Sequence, residues 1–132
     1  MMVTVIIALG SNTDRECRIE QAKEKLVALF GEGHVQFTQT VESEAIGIVS
    51  PAFGNCLCKA ESNYPLAYLL HALKDIETAC GNTEEKRLKD KIEMDIDLLK
   101  YDSRKFHVDD WERVYIKMLL KQLSETCGLH LH

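Results

Sequence analysis

The stretch VTVIIALGSN at residues 3–12 decides the fold class, because it predicts a buried strand that ends in a turn. Val3 to Leu9 is a run of apolar and β-branched residues, and Gly10-Ser11-Asn12 follows it at once. Thr13 and Glu16 have the spacing of a capping box, which predicts a helix start near Asp14. Helical periodicity then continues to Phe30. The chain is therefore predicted to open with a strand and a helix.

The remaining periodicity predicts three further strands and two further helices. A half-exposed strand covers residues 35–41, a third strand 53–60 and a fourth 94–98, while helices cover 66–80 and 110–125. Alternating strands and helices in this order predict an α+β fold of ferredoxin-like βαββαβ type. We expect a four-stranded, mainly antiparallel sheet with helices on one face plus a C-terminal helix. A single domain spanning residues 1–132 suits the length.

Composition limits the classes of partner. Sixteen basic and twenty-one acidic side chains give a net charge of −5, which argues against nucleic acid and against an anionic membrane surface. No apolar run approaches the length of a membrane span. The five cysteines are scattered and odd in number, which favours reduced thiols and a cytoplasmic protein. Cys56 and Cys58 are expected to be core residues rather than zinc ligands.

The segment with the clearest chemical content is Glu93-Met94-Asp95-Ile96-Asp97. Alternate residues of a strand share a face, so three carboxylates are predicted to point the same way. Such carboxylates repel one another unless cations neutralise them. Oxygen ligands of this kind suit Mg²⁺, held by one or two carboxylates together with substrate phosphates. The alternative is the solvated face of an edge strand.

Two neighbouring features fit a site that handles phosphates and a flat ring. The segment before the carboxylates is basic, with Lys86, Arg87, Lys89 and Lys91, and could neutralise phosphate charge. Phe53 and Asn55 share one face of a strand, where an aromatic ring can stack on a heterocycle and an amide can match its edge. Each feature alone is also compatible with a structural role.

Together these residues resemble the 6-hydroxymethyl-7,8-dihydropterin pyrophosphokinase family of folate biosynthesis. Ile7-Ala8-Leu9-Gly10-Ser11-Asn12 is similar to the first strand and turn of the family. Pro51-Ala52-Phe53-Gly54-Asn55 falls where the family has an aromatic residue two positions before a pterin-binding Asn. Asp95-Ile96-Asp97 matches the pair that holds two Mg²⁺ ions in the family. The resemblance covers roughly residues 3–123.

The resemblance implies a reaction and a set of roles. The reaction is transfer of the β,γ-diphosphate of ATP to the hydroxymethyl oxygen of a reduced pterin, with release of AMP. Asp95 and Asp97 would be catalytic metal ligands, with Arg87 and Lys91 as catalytic cations. The pterin would be bound by Ala45, Ile46, Gly47, Phe53 and Asn55. The nucleotide would be flanked by Leu70, Lys74, Glu77, Lys89 and Arg113.

The sequence also departs from the family pattern in two places. Arg87-Leu88-Lys89-Asp90-Lys91 replaces a stretch that supplies arginines and a tryptophan in the family. A Pro-His-Tyr nucleotide segment corresponds to Asp109-Asp110-Trp111. Two alternatives to the enzyme therefore stay open: a non-catalytic homologue that binds a pterin or nucleotide or serves as an interaction module, and a small ferredoxin-like interaction domain.

Overall fold

The computed structural model describes residues 2–45 and 50–127, which form an α+β fold built on one antiparallel sheet of six strands. The strands are β1 (Val3–Ser11), β2 (Val35–Phe37), β3 (Val41–Ser43), β4 (Phe53–Ser62), β5 (Asp95–Tyr101) and β6 (Arg104–Lys105). The helices are α1 (Arg15–Phe30), α2 (Leu66–Ala79), α3 (Glu84–Leu88) and α4 (Val114–Cys127), with a 3₁₀ turn at Val108–Glu112 before α4.

The β-branched run at the start of the chain forms the central strand. β1 pairs on one side with β4 and on the other with β5, and both pairings are antiparallel. The order along the sheet is β2-β4-β1-β5-β6, with β3 pairing to β4 beyond the end of β2. At one end of this arrangement Gly10 lies opposite both Asn55 and Asp95. Asn55 on β4, Gly10 on β1 and Asp95 on β5 are thus neighbours across the sheet.

Two apolar clusters lie on opposite faces of the sheet. The first joins the sheet to α1 and α2 through residues such as Ile7, Leu26 and Leu73. It also contains Cys56 and Cys58, both fully buried, as expected for core cysteines. The second cluster joins the other face to α4 through residues such as Leu57 and Leu119. The C-terminal helix therefore covers the face that α1 and α2 leave open.

The prediction of four strands was wrong. The strand predicted over residues 35–41 ends at Phe37 as β2, and β3 begins only at Val41. The break coincides with Thr38, whose hydroxyl accepts a hydrogen bond from the backbone N–H of Leu57 at 2.9 Å. This side-chain bond turns the Thr38 side chain, which is buried, into the sheet and interrupts the regular edge. The sixth strand, β6, is a two-residue segment that pairs with the end of β5.

The start of α1 also differs from the predicted capping box. Asp14 is the N-cap, with φ 50°, and its side chain makes no capping hydrogen bond. The Thr13 hydroxyl donates instead to Asn12 Oδ1 at 2.9 Å. Asn12 in turn donates to the carbonyl of Asp90 and accepts from the N–H of Ile92. The turn after β1 is therefore tied to the segment before β5 rather than to α1.

The helices at the C-terminal end were predicted as one segment, residues 110–125, but the backbone divides them. Arg113 is extended, with φ −69° and ψ 139°, and separates the 3₁₀ turn from α4. Helix α3 was not predicted, because its five residues are too few to reveal a period. None of the helices in residues 2–45 and 50–127 combines the length and the apolar character that crossing a bilayer requires.

Candidate active site

Asp95 and Asp97 stand at the start of β5, beside the end of β1. Their side chains are 40% and 33% exposed, so both carboxylates are half-buried. The neighbouring residue of β1 is Gly10, where an added Cβ would lie 3.4 Å from Asn55 Oδ1. The same Cβ would lie 3.7 Å from the ring of Phe53. Glycine therefore leaves room beside Asn55 and Phe53.

A cavity of about 260 Å³ opens on the α4 face of the sheet, next to the aspartates. One wall is lined by four of the side chains proposed for the pterin and metal sites: Phe53, Asn55, Asp95 and Asp97. The opposite wall is formed by the 3₁₀ turn and α4, through residues that include Asp110 and Arg113. The sheet and the segment formed by the 3₁₀ turn and α4 are therefore the two walls of a small pocket.

A second depression, a groove of about 600 Å³, runs along α2 and past α3. It is lined by Leu70, Lys74, Glu77, Arg87, His107 and both aspartates, among others. Asp95 and Asp97 thus border the cavity and the groove at once. The two carboxylates therefore lie where a ligand in the cavity could contact a ligand in the groove.

Negative charge accumulates at this junction. Burial and, after it, the neighbouring Asp95 raise the pKa of Asp97 to about 6, against the lowering effect of His107. His107 Nε2 lies 3.8 Å from Asp97 Oδ1. Burial also raises the pKa of Glu77 to about 7, although the backbone N–H of Ile96 donates to its Oε2 at 2.7 Å. Carboxyl groups held in this way favour a cation beside them.

Of the four basic residues that precede the aspartates in the sequence, Arg87 lies closest to them. Its Nη2 atom lies 3.1 Å from Asp95 Oδ1 and 3.7 Å from Glu77 Oε2. Helix α3 presents this side chain, and Thr83 caps the helix by accepting from the N–H of Lys86. The sequence indicated a basic segment here but not which residue would reach the aspartates.

The other basic residues line a different groove. Lys86, Lys89 and Lys91 all border a depression next to the turn after β1, which Asp95 and Asp97 do not line. Lys89 Nζ lies 3.5 Å from Glu85 on the exposed face of α3. Lys89 and Lys91 are close to the aspartates in sequence and were predicted to act beside them, but in the fold they line a depression that the aspartates do not border.

Glu93 does not join the aspartates, contrary to the predicted stripe of three carboxylates. The strand begins only at Asp95, and the side chain of Glu93 is buried. Arg18 Nε lies 2.7 Å from one of its oxygens and Lys86 Nζ lies 3.1 Å from the other. Burial alone would raise the pKa of Glu93, but these two hydrogen bonds outweigh it and lower the pKa. Glu93 is therefore a structural ion-pair residue.

The predicted pterin-binding loop is described only in part. Ala45 follows β3 and is half-buried, and Glu44 beside it lines the cavity. Ile46 and Gly47 lie outside the described residues. Phe53 and Asn55 both line the cavity, as the shared strand face predicted.

The structure also brings in a residue that the sequence analysis did not select. The nucleotide segment was assigned to Asp109-Asp110-Trp111, but His107 is the residue that lies in the groove against Asp97. Asp110 lies in the cavity, where Arg113 Nε donates to it at 2.9 Å. That ion pair offsets the negative charge that Asp110 would bring. Arg113, expected at the nucleotide, lines the cavity and not the groove.

Asp95 and Asp97 fit a magnesium ion whose coordination shell is completed by a bound ligand and water. No group of three or more His, Cys, Asp or Glu side chains within residues 2–45 and 50–127 has the arrangement of a complete metal site. The site instead has two half-buried aspartates that border both depressions. Mg²⁺ is commonly bound by one or two protein carboxylates, with waters and phosphate oxygens as its other ligands.

Comparison with known proteins gives one family. A model of the family described as 7,8-dihydro-6-hydroxymethylpterin-pyrophosphokinase (HPPK) matches residues 6–125, nearly the whole chain. A search of curated proteins found no match. The matched range includes the cavity, the groove and the aspartate pair. The chain belongs to the 7,8-dihydro-6-hydroxymethylpterin-pyrophosphokinase family.

Proposed function

We propose that this protein transfers the β,γ-diphosphate of ATP to the hydroxymethyl oxygen of 6-hydroxymethyl-7,8-dihydropterin. The hydroxymethyl oxygen forms a bond to the β-phosphorus, the bond from that phosphorus to the oxygen shared with the α-phosphate breaks, and AMP leaves with that oxygen. The hydroxyl proton is released. The observation that carries this proposal is that Asp95 and Asp97 border a small cavity and a larger groove at once.

The cavity is the proposed pterin site. Phe53 offers a ring face and Asn55 a polar amide, the combination that suits a flat heterocycle with a hydrogen-bonding edge. Backbone groups of Ala45, Ile46 and Gly47 are proposed to complete it. The hydroxymethyl arm would then extend toward the aspartates.

The groove is the proposed nucleotide site, and its volume falls in the ~300–1,000 Å³ range of small-molecule sites. Leu70 is 45% exposed and offers an apolar contact for a base, while Lys74 and Arg87 offer positive charge for phosphates. Glu77 lies deeper, against the backbone of β5. Lys89, Lys91 and Arg113 would reach phosphates only if their segments moved.

The aspartate pair is the proposed metal site. Asp95 and Asp97 would hold two Mg²⁺ ions that, when bound with ATP, neutralise charge on the phosphates. The remaining work of the protein is to bring the hydroxymethyl oxygen and the β-phosphorus together and in line. Phosphoryl transfer depends mainly on such positioning and on charge neutralisation. We further propose that residues 1–132 form one domain of ferredoxin-like type.

A second candidate is a non-catalytic homologue that binds a pterin or nucleotide. One observation favours it: Arg87 already forms an ion pair with Asp95, at 3.1 Å. A carboxylate neutralised by the protein itself has less need of a metal ion. The two candidates differ in whether Mg²⁺ and ATP displace this arginine.

The test is to incubate the purified protein with ATP, Mg²⁺ and 6-hydroxymethyl-7,8-dihydropterin and to measure AMP by chromatography. AMP that forms only when all three are present supports the enzyme. Reactions without the pterin control for simple ATP hydrolysis. If no AMP forms while calorimetry detects binding of α,β-methylene ATP or of the pterin, the binding homologue is the correct description. If neither binds, both candidates fail.

A further inference from the structure

The side chain of Asn55 is fixed by contacts that involve only one end of its amide. Asn55 is 6% exposed. Its Nδ2 atom lies 2.7 Å from the hydroxyl oxygen of Ser43, 3.3 Å from the carbonyl oxygen of Val41 and 3.4 Å from that of Phe53. All three neighbours are thus on the nitrogen side. β3, which carries Val41 and Ser43, therefore holds the amide in place.

The chemistry of these neighbours decides which way the amide faces. A backbone carbonyl can only accept a hydrogen bond, so the two carbonyls of Val41 and Phe53 require a donor opposite them. Rotating the amide by half a turn would place Oδ1 against both carbonyl oxygens, where acceptors would face acceptors. The nitrogen must point to β3, and Oδ1 must point away from it.

The oxygen end is open to the cavity. Asn55 Oδ1 accepts no hydrogen bond from any residue in the described part of the chain, and it is the atom closest to the space above Gly10. Every buried side-chain nitrogen or oxygen of the described residues has a partner, so an unpartnered Oδ1 is an atom that solvent reaches. Asn55 lines the cavity, and its carbonyl oxygen is the group that it offers there.

Among the three contacts, the one from Ser43 is the shortest and the one that a side chain makes. The two carbonyl contacts are long and leave the amide plane free to rock, whereas a 2.7 Å bond fixes it. We propose that Ser43 is a positioning residue: its hydroxyl holds the amide of Asn55 so that Oδ1 accepts an N–H from the ring bound in the cavity. This inference rests on the proposed function, because it takes the ring to be the pterin.

The effect of Ser43 on binding should pass through Asn55. Calorimetry with 6-hydroxymethylpterin, in the presence of Mg²⁺ and α,β-methylene ATP, should give about fivefold weaker binding for Ser43→Ala, the loss expected for one misaligned hydrogen bond. Ser43→Thr keeps the hydroxyl and should bind within twofold of the wild type. In an Asn55→Ala background, Ser43→Ala should cause no further loss. An equal loss in that background would mean that Ser43 touches the ring itself, and would overturn the proposal.

A second measurement reports on Asn55 without any ligand. The side-chain amide protons of Asn55, assigned by their absence in Asn55→Ala, should exchange with solvent at least threefold faster in Ser43→Ala than in the wild type or Ser43→Thr. Unchanged exchange would overturn the positioning role. If the wild type does not bind the pterin at all, the proposed function fails, and the exchange rates alone then decide whether Ser43 positions Asn55.

Discussion

Arg87 and Asp95 form an ion pair across the gap between α3 and the start of β5, with Nη2 3.1 Å from Oδ1. Asp95 is one of the two proposed metal ligands, so the arginine stands where a divalent cation would bind. Arg87 also reaches Glu77, at 3.7 Å. This guanidinium places a positive charge beside the carboxylates. A metal ion at Asp95 would compete with it.

Arg87→Ala should therefore strengthen metal binding when no nucleotide is present. Removing the arginine frees Asp95 and leaves the repulsion among the carboxylates for the ion to relieve. Arg87 is 37% exposed, so the gain should be modest, up to about fivefold in Mn²⁺ affinity measured by electron paramagnetic resonance. Lys89→Ala, at the C-cap of the same helix, is the matched control and should not change the Mn²⁺ affinity. Weaker Mn²⁺ binding in Arg87→Ala would show that the arginine does not compete with the ion.

Asp97→Asn should remove turnover and keep the fold. The substitution is isosteric and removes a carboxylate. Burial and the neighbouring Asp95 raise the pKa of Asp97 to about 6, so its ionised form is unfavourable in the folded protein, and the melting temperature at pH 8 should not fall when the charge is removed. AMP formation should drop by about 100-fold or more, because a metal ligand is lost. Asp102→Asn, in the exposed turn after the same strand, should keep full activity. Activity that survives in Asp97→Asn would remove this residue from the metal site.

Strand periodicity was enough to predict the parts of the site that lie on regular strands. The central strand β1, the shared face of Phe53 and Asn55, and the pair Asp95 and Asp97 all follow from alternation along the chain. A side chain on a strand has its direction set by the period of two, whatever the rest of the fold does. Phe53 and Asn55 therefore share a face, and so do Asp95 and Asp97, as the sequence indicated.

The errors lie where the direction of the backbone depends on contacts distant in sequence. Glu93 was placed on the strand face, but Asn12, about 80 positions earlier, takes the N–H of Ile92 and delays the strand until Asp95. Asp90 has φ 59° and turns the chain, which sends Lys91 away from the aspartates. His107, also in a left-handed conformation at φ 51°, had no periodic signal at all. Nothing local in the sequence encodes these contacts.

Glu93→Gln should destabilise the protein without involving the proposed metal site. The change leaves Arg18 and Lys86 facing a neutral group. Glu93 is buried, but the side chains of Arg18 and Lys86 are 27% and 39% exposed, so water screens part of the loss, and we expect about 1–2 kcal/mol in the free energy of unfolding. The pKa of Glu93 is lowered on folding, so its stabilisation is present above the unfolded value of about 4.5 and is lost as the pH falls through the lower, folded value.

Urea unfolding of Glu93→Gln at pH 7 measures this loss, and repeating it near pH 3 should show a smaller difference from the wild type. Glu85→Gln is the control: its pair with Lys89 is on the surface, with the Glu85 side chain 80% exposed, and should contribute little. Equal stability of Glu93→Gln and the wild type at pH 7 would mean that the Arg18 and Lys86 contacts do not stabilise the fold.

Glu77→Gln should increase the stability of the protein, whereas Glu93→Gln should decrease it. Burial raises the pKa of Glu77 from 4.5 to about 7, so the folded protein binds this proton more tightly than the unfolded chain does. The wild type therefore loses stability as the pH rises from about 4.5 to about 7, because ionisation costs more in the folded state. Glutamine cannot ionise, and its oxygen can still accept from the N–H of Ile96. The variant should gain roughly 2 kcal/mol over the wild type at pH 8 and nothing at pH 4.

Urea unfolding at both pH values tests this, with Glu24→Gln on an exposed face of α1 as the control. Excess Mg²⁺ and α,β-methylene ATP should reduce the gain of Glu77→Gln at pH 8, because cations at Asp95 and Asp97 would relieve the repulsion that these aspartates exert on Glu77. A gain that is the same at pH 4 and pH 8 would trace the effect to packing instead of ionisation. A gain that ligands leave unchanged would separate Glu77 from the metal site, and the carboxylates would then act independently.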